Sequence, residues 1–300
     1  MKSLPDISFV ILNYNGLKDT RELLISIKKN LRDILYEVIV VDNDSSADEY
    51  SELKNEFQEY IILSNQANLG FAGGNNIGIK ASTGRYIMLI NNDTLLADSS
   101  INRLVKNLDE HPEIGAVSPK IHFFSPSGVI QYAGYTKLSR ITLRNKGIGF
   151  GETDRGQYDI SGRTESVHGA AMMIRREVIN KVGLMPEDYF LYYEELDWSE
   201  MIKKAGFEIW FDPSAVIVHK ESRSTGRNSP LKKYYMVRNR LIFAKRNRSG
   251  LTRIFAILYQ LTIADIRELI GSLLVGRVDL AIAIIHGVMD FFLNKKNYSK

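Results

Sequence analysis

Apolar residues follow two rhythms over the first 118 positions. Short continuous runs at 7–12, 38–41, 60–63 and 86–90 have the length of strands and read as strands covered on both faces. Between them the spacing opens to a helical period. Leu23, Leu24, Ile27 and Leu31 share one face, a polar helix follows at 47–56, a glycine-rich helix at 72–81, and a helix at 99–111 is stopped by Pro112. Another strand is expected at 114–117. This alternation predicts an α/β fold: a Rossmann-like, mainly parallel sheet with right-handed crossovers, flanked by helices.

The rhythm fades between 119 and 165, where irregular strands and a mobile loop around 139–161, able to act as a lid, are expected. It returns in a strand at 167–174, a helix at 176–182 closed by Gly183, and a helix at 194–205 capped by Gly206. Two short strands, 208–211 and 215–218, lead to His219. From Pro230 onward the pattern is helical, at 234–246, 252–273 and 278–293, with breaks at Gly250 and Gly276. The apolar runs of this tail fall well short of the roughly 20 residues a membrane-spanning helix needs.

Composition changes this picture in two places. The chain has no cysteine, which excludes a disulfide framework and any thiolate metal site. Together with a start that lacks the apolar region of a signal peptide, this gives a cytoplasmic expectation. The net charge is only +4, but no acid lies between Glu221 and Asp265, while Arg223, Arg227, Lys232, Lys233, Arg238, Arg240, Lys245, Arg246, Arg248 and Arg253 accumulate there. A basic block ahead of amphipathic helices predicts peripheral contact with an anionic membrane face, a helical cap or homo-oligomer interface being the alternative. No nucleic-acid-binding module accompanies the block, and no such partner is expected.

Candidate chemistry gathers at the carboxyl ends of the strands, the edge where open α/β sheets bind ligands. Strand one ends Asn13-Tyr14-Asn15, strand two Asp42-Asn43, the third is followed by Asn68-Leu-Gly70, and the fourth ends Asn91-Asn92-Asp93. An aromatic ring, amides and a carboxylate in one place suit a base and ribose. The stretch Gly70-Phe-Ala-Gly-Gly-Asn-Asn-Ile-Gly78 lacks dinucleotide-fingerprint spacing and a P-loop lysine, so its glycines are read as permitting close backbone approach to the sheet or to a phosphate. Further on, Glu194, Glu195 and Asp197 stand at a helix start behind aromatic residues, where apolar cover raises a carboxylate towards a useful base.

Taken together, the segments 7–15, 38–46 (VIVVDNDSS), 68–78 (NLGFAGGNNIG), 86–93, 168–183 (HGAAMMIRREVINKVG), 188–198 and His219 resemble family-2 glycosyltransferases of the GT-A fold, in particular bacterial rhamnosyltransferase-type enzymes. The resemblance covers about the first 225 residues. It implies a GT-A domain over 1–225, with a nucleotide-binding half (1–118) and an acceptor and catalytic half (119–225), followed by the basic helical region 226–300. It also implies an inverting, metal-dependent sugar transfer to a hydroxyl of a cell-surface glycan or lipid-linked acceptor at the inner membrane face. The donor implied is dTDP-rhamnose, with a UDP-sugar open. Asn13, Tyr14, Asn15, Asp42, Asn43, Asn68, Gly70, Asn92, Asp93 and Gly169 would bind the nucleotide sugar. Asp93 and His219 would hold Mg²⁺ or Mn²⁺, Glu195 would be the catalytic base, with Glu194 the nearest alternative, and Glu194, Asp197 and Trp198 would meet the acceptor. The chain departs from the family pattern at Asn91, where an acid is usual, leaving Asp93 the motif's single carboxylate. A nucleotidyltransferase or a non-catalytic membrane scaffold on the same sheet are the rival readings.

Overall fold

The computed structural model describes residues 4–221 and 229–295. Its elements run β1 (Ile7–Asn13), α1 (Leu17–Asn30), β2 (Tyr36–Asp42), α2 (Glu49–Glu56), β3 (Ile61–Ser64), α3 (Gly70–Ala81), β4 (Tyr86–Asn91), β5 (Thr94–Leu96), α4 (Ile101–Glu110) and β6 (Ile114–Phe123). These are followed by β7 (Ile130–Tyr132), β8 (Gly162–Arg163), β9 (Ala171–Arg175), α5 (Arg176–Val182), α6 (Glu194–Lys204) and β10 (Glu208–His219). The chain ends in α7 (Pro230–Asn247), α8 (Gly250–Tyr259), a π-helical turn Gln260–Ala264, α9 (Asp265–Leu274) and α10 (Val278–Phe292).

One sheet, ordered β3-β2-β1-β4-β9-β6-β10-β5, forms the centre. Its first four strands pair in parallel, as βαβ alternation dictates. Beyond β4 the sheet is mixed, because β9 enters antiparallel between β4 and β6, while β6 and β10 pair in parallel. The alternation of side chains explains why the strands are apolar throughout. Phe9, Val40 and Met88 enter the core on one face, and Val10, Val41 and Leu89 the core on the other. Truncating one of these large side chains costs about 2–5 kcal/mol.

Three expectations change. The segment expected as a mobile lid is fastened: Val129 bridges Thr153, Tyr135 bridges Gly147, and Lys120 Nζ lies 2.9 Å from the Asp154 carboxylate and pairs with Asp159. These partners are far apart in sequence, so no local period betrays them. The two strands at 208–211 and 215–218 are one strand, β10, with a register shift between Asp212 and Val216 around Pro213. Much of the basic block is structural and not a solvated face. Arg238 and Arg240 are buried, Arg238 donating to the Asp188 and Lys295 carbonyls and Arg240 to the Tyr193 hydroxyl, while Arg246 bonds Asp188 and Asp197. Arg223 and Arg227 lie outside the described residues.

Candidate active site

The ends of β1, β2 and β4 are tied by a buried polar chain. Asn13 donates 2.8 Å bonds to Asp42 Oδ1 and Glu49 Oε2 and accepts from Thr20 Oγ1 at 2.7 Å, while Asn92 donates to that same Thr20 oxygen at 3.0 Å. Asn43 donates to Asn68 Oδ1 at 2.9 Å and accepts from Asn65 and the Leu69 amide, folding the β3–α3 loop around itself. Asn68 in turn accepts from the Gly70 amide. Asn13 and Asn43 are therefore corrected from ligand contacts to supports, since both are buried and both ends of each amide are used within the protein. The Asp42 carboxylate is buried as well, accepting from Asn13 and Ser45. Asn15, at φ 51°, holds the Ser46 amide, and Tyr14 beside it is 46% exposed, an aromatic ring standing at the open strand edge.

Asp93 follows β4 and meets His219 at the end of β10. Antiparallel pairing of β5 with β10 brings Thr94 opposite His219, and Lys220 donates its amide to the Asp93 carbonyl at 2.9 Å. Both side chains are buried, His219 Nε2 lying 3.0 Å from Asp93 Oδ1. His219 Nδ1 lies 2.7 Å from Gln131 Oε1. That carbonyl oxygen accepts from Nδ1–H, which orients the ring with Nε2 towards the Asp93 carboxylate.

Glu194 and Glu195 open α6 after a sharp turn in which Phe190, Tyr192 and Tyr193 all have positive φ, a conformation costing about 1–3 kcal/mol per bulky residue. Glu194 is 2% exposed, and its Oε2 has no hydrogen-bond partner among the described residues. Burial holds its carboxyl well above the ordinary range, the Glu195 charge adding to this, and burial also raises Glu195. Glu195 is only half-buried and lies beside Gly169: a Cβ built on that glycine would sit 3.9 Å from its carboxyl. The expectation that Asp197 and Trp198 face an acceptor fails. Trp198 is fully buried with its indole N–H on the Gly183 carbonyl, and Asp197 is enclosed by Tyr189, Arg246 and Asn247. Glu194 is likewise shut away from an acceptor.

The loop His168-Gly169-Ala170 joins the two centres. The Ala170 carbonyl accepts from the Asn91 amide at 2.9 Å, Gly169 abuts Glu195, and His168 is close enough to His219 to feel its charge. Burial, with His219 adding, pushes the His168 imidazole down to about 3. Its Nδ1 accepts from the Ala170 amide at 3.1 Å, which leaves the proton on Nε2, and its ring stacks on Tyr135. Burial pushes the Tyr135 phenol upward, with Tyr132 and then the Glu195 charge contributing. The glycines of α3 serve packing: a Cβ on Gly74 would lie 2.2 Å from Leu12 Cδ1, and one on Gly70, at φ +73°, 2.2 Å from the Phe190 carbonyl oxygen.

Residues 8–183 match the family model described as glycosyl transferase family 2. The chain belongs to that family. Among its curated relatives are a low-salt glycan biosynthesis hexosyltransferase, Agl10, of Haloferax volcanii, and the poly-beta-1,6-N-acetyl-D-glucosamine synthase of Staphylococcus aureus. The first is 26% identical over 69% of this chain and the second 25% over 71%. The chain spans 64% and 49% of their respective lengths. Solved structures share the GT-A fold. GalNAc-T7 with UDP, GalNAc and Mn²⁺ aligns with a TM-score of 0.64 at 17% identity over 88% of this chain and 57% of its own. The Pyrobaculum calidifontis mannosyltransferase PcManGT with GDP-Man and Mn²⁺ gives 0.61 at 16% identity over 98% and 89%. S. aureus TarS in complex with UDP-GlcNAc gives 0.55 at 15% identity over 97% and 92%. None of these relatives or solved structures is named as a rhamnosyltransferase.

A divalent cation fits this family-2 site. Asp93 Oδ1 and His219 Nε2, buried and 3.0 Å apart, are two donor atoms that one ion could share, and no group of three or more His, Cys, Asp or Glu that could hold a metal occurs among the described residues. The other ligands of such an ion would have to be phosphate oxygens and water. Sequence reading missed Gln131, Tyr135 and Glu49. Gln131 and Tyr135 lie in the stretch without periodicity, and Glu49 looks like an ordinary first-turn acid, so only the folded contacts single them out.

Proposed function

We propose that this protein transfers a sugar, with inversion, from a nucleoside-diphosphate sugar to a hydroxyl of a glycan or lipid-linked acceptor. The observation that carries this reading is the loop 168–170, which brings the Asp93–His219 pair and the half-buried Glu195 to one edge of the sheet. Tyr14 offers the base a stacking face, and Asp42 lies at the neighbouring strand end. Asp93 and His219 would hold Mg²⁺ or Mn²⁺. When bound, such a cation supplies positive charge against the departing diphosphate. Glu195 takes the acceptor proton as the hydroxyl oxygen bonds to the anomeric carbon and the bond from that carbon to the diphosphate oxygen breaks. With Glu195 on the side of the anomeric carbon away from the leaving diphosphate, the transfer would be a single displacement.

The names of the relatives favour UDP-GlcNAc or another hexose donor, and the motif spellings favour dTDP-rhamnose. A thermal-shift screen of UDP-GlcNAc, GDP-mannose and dTDP-rhamnose, each with and without Mn²⁺, tests the reading. One donor at about 100 times its Kd is expected to add about 2.7 kcal/mol of stability with Mn²⁺ present, and less without it. No stabilisation by any sugar nucleotide would overturn the reading.

The helical tail supports peripheral membrane contact. Among the described residues no helix is long and apolar enough to cross a membrane. Yet Ile254, Phe255 and Leu258 of α8, Ile266 and Ile270 of α9, and Ile282, Ile285 and Met289 of α10 are all exposed, with Arg253 and Arg267 exposed among them. Truncation at Pro230 is a poor test, because it would also remove the α7 contacts to 188–197. Replacing Ile254, Phe255 and Leu258 together by Ser is expected to weaken binding to phosphatidylglycerol vesicles at least about 100-fold with transfer intact. Unchanged vesicle binding together with lost self-association would assign the face to a second copy.

A further inference from the structure

The turn 190–193 sets where Glu194 and Glu195 point, and three of its four residues hold positive φ: Phe190 at 65°, Tyr192 at 69° and Tyr193 at 81°. Bulky aromatic residues leave that region unless their surroundings over-determine it. Two sets of contacts do so. From the nucleotide-binding half, the Phe71 amide donates to the Phe190 carbonyl at 2.7 Å, an approach that the bare Gly70 permits. From α7, the side-chain amide of Asn239 lies 2.9 Å from the Tyr189 carbonyl oxygen, 2.7 Å from that of Leu191 and 2.9 Å from that of Tyr192.

We infer that Asn239 is a positioning residue for sugar transfer, its amide locking the strained turn so that Glu195 reaches the acceptor hydroxyl. The inference rests on the reading of Glu195 as the base. Asn239 is wholly buried, and its two N–H bonds are shared among three carbonyls that α6 cannot satisfy, since they precede the helix. Its own Oδ1 accepts from Arg238 Nη1 at 2.7 Å, and Arg238 also donates to the Asp188 carbonyl at 3.1 Å, so the amide is held in orientation from behind. No other residue type does the same here. Asp has the shape but no donor, Gln displaces the donor by a methylene, and Ala removes the donor from the Tyr189, Leu191 and Tyr192 carbonyls, the first of them buried and the other two partly so. The helix preceding the exposed apolar face thus takes part in building the catalytic turn.

The test uses the full chain and reads turnover as nucleoside diphosphate release from whichever of UDP-GlcNAc, GDP-mannose or dTDP-rhamnose the wild type consumes fastest. Asn239→Asp is expected to lower kcat about 100-fold, the effect of misplacing a catalytic group by about 1 Å, while donor KM and the Kd of the matching nucleoside diphosphate with Mn²⁺ stay within about threefold. Tyr234→Phe is the control. It removes a bond of the same helix to Asp290, 2.9 Å away, and is expected to leave turnover within about twofold. In a Glu195→Gln background the Asn239→Asp change is expected to cost less than about threefold, because two residues acting through one step are not additive. Equal slowing in both backgrounds, or nucleotide affinity falling in step with kcat, overturns the inference. Should Asn239→Asp not fold, Asn239→Gln keeps the amide and is expected to show the same split, and unchanged kcat in it also overturns the inference. Near-normal turnover of Glu195→Gln alone fails the base assignment, and is seen before Asn239 is altered.

Discussion

Glu195→Gln is expected to slow sugar transfer about 10²–10⁴-fold, the range a positioned general base contributes, with nucleotide binding unchanged. The amide keeps the size and the hydrogen-bonding reach of the carboxylate but cannot accept a proton. Glu194→Gln separates the neighbouring acids. Glu194 is sealed from solvent while Glu195 lies half-buried beside Gly169, so replacing the Glu194 carboxyl by an amide is expected to cost less than about tenfold in turnover. The pH dependence adds a second check. Burial raises Glu195, so in the wild type kcat is expected to climb through a range above that of an ordinary carboxylate, a limb that Glu195→Gln abolishes. Stability runs the other way for Glu194. The unfolded chain loses that proton near the ordinary value of 4.5, whereas the folded chain keeps it, so stability falls as pH rises from there towards the raised folded value. Thermal melts between pH 5 and 8 are expected to be flatter for Glu194→Gln than for wild type. A Glu194→Gln enzyme that is inactive beside an active Glu195→Gln enzyme would exchange the two roles.

The parallel half of the sheet was legible because strands buried on both faces write themselves as continuous apolar runs, as in 86–90, and the helices between them as a 3.6-residue period. The antiparallel entry of β9 was not, since its five residues, Ala171–Arg175, are buried whichever direction they run. The acids of the site were legible from their place at strand and helix ends. Their division of labour was not. Burial distinguishes Glu194 from Glu195, Asp42 from the exposed Tyr14, and the enclosed Asp197 from any ligand contact, and burial is set by residues far along the chain, such as Arg246 and Asn247 for Asp197. The basic block misled for a related reason. Charge counts as a surface property until a partner is seen, and Arg238, Arg240 and Arg246 find theirs between Asp188 and Asp197, the stretch that leads into and carries the acids.

Replacing Asp93 is expected to have the second large effect. In Asp93→Asn the one carboxylate of the Asn91-Asn92-Asp93 run is lost, and an amide faces His219 where the acid stood 3.0 Å away. Turnover is expected to fall about 10²–10³-fold, as for loss of one group stabilising the charge of a leaving oxygen. The Mn²⁺-dependent part of nucleotide stabilisation should vanish, leaving the metal-independent part intact. Because the wild type offers one carboxylate and one imidazole and the remaining ligands would come from the diphosphate, Mn²⁺ alone is expected to bind the free enzyme weakly, with a Kd above about 10⁻⁴ M. Linkage then fixes a relation between two titrations: the factor by which Mn²⁺ tightens the nucleoside diphosphate must equal the factor by which the nucleotide tightens Mn²⁺. Calorimetry run in both orders measures both factors. Tight Mn²⁺ binding to the nucleotide-free wild type, or an Asp93→Asn enzyme that keeps Mn²⁺-dependent nucleotide binding, would move the metal away from the end of β4.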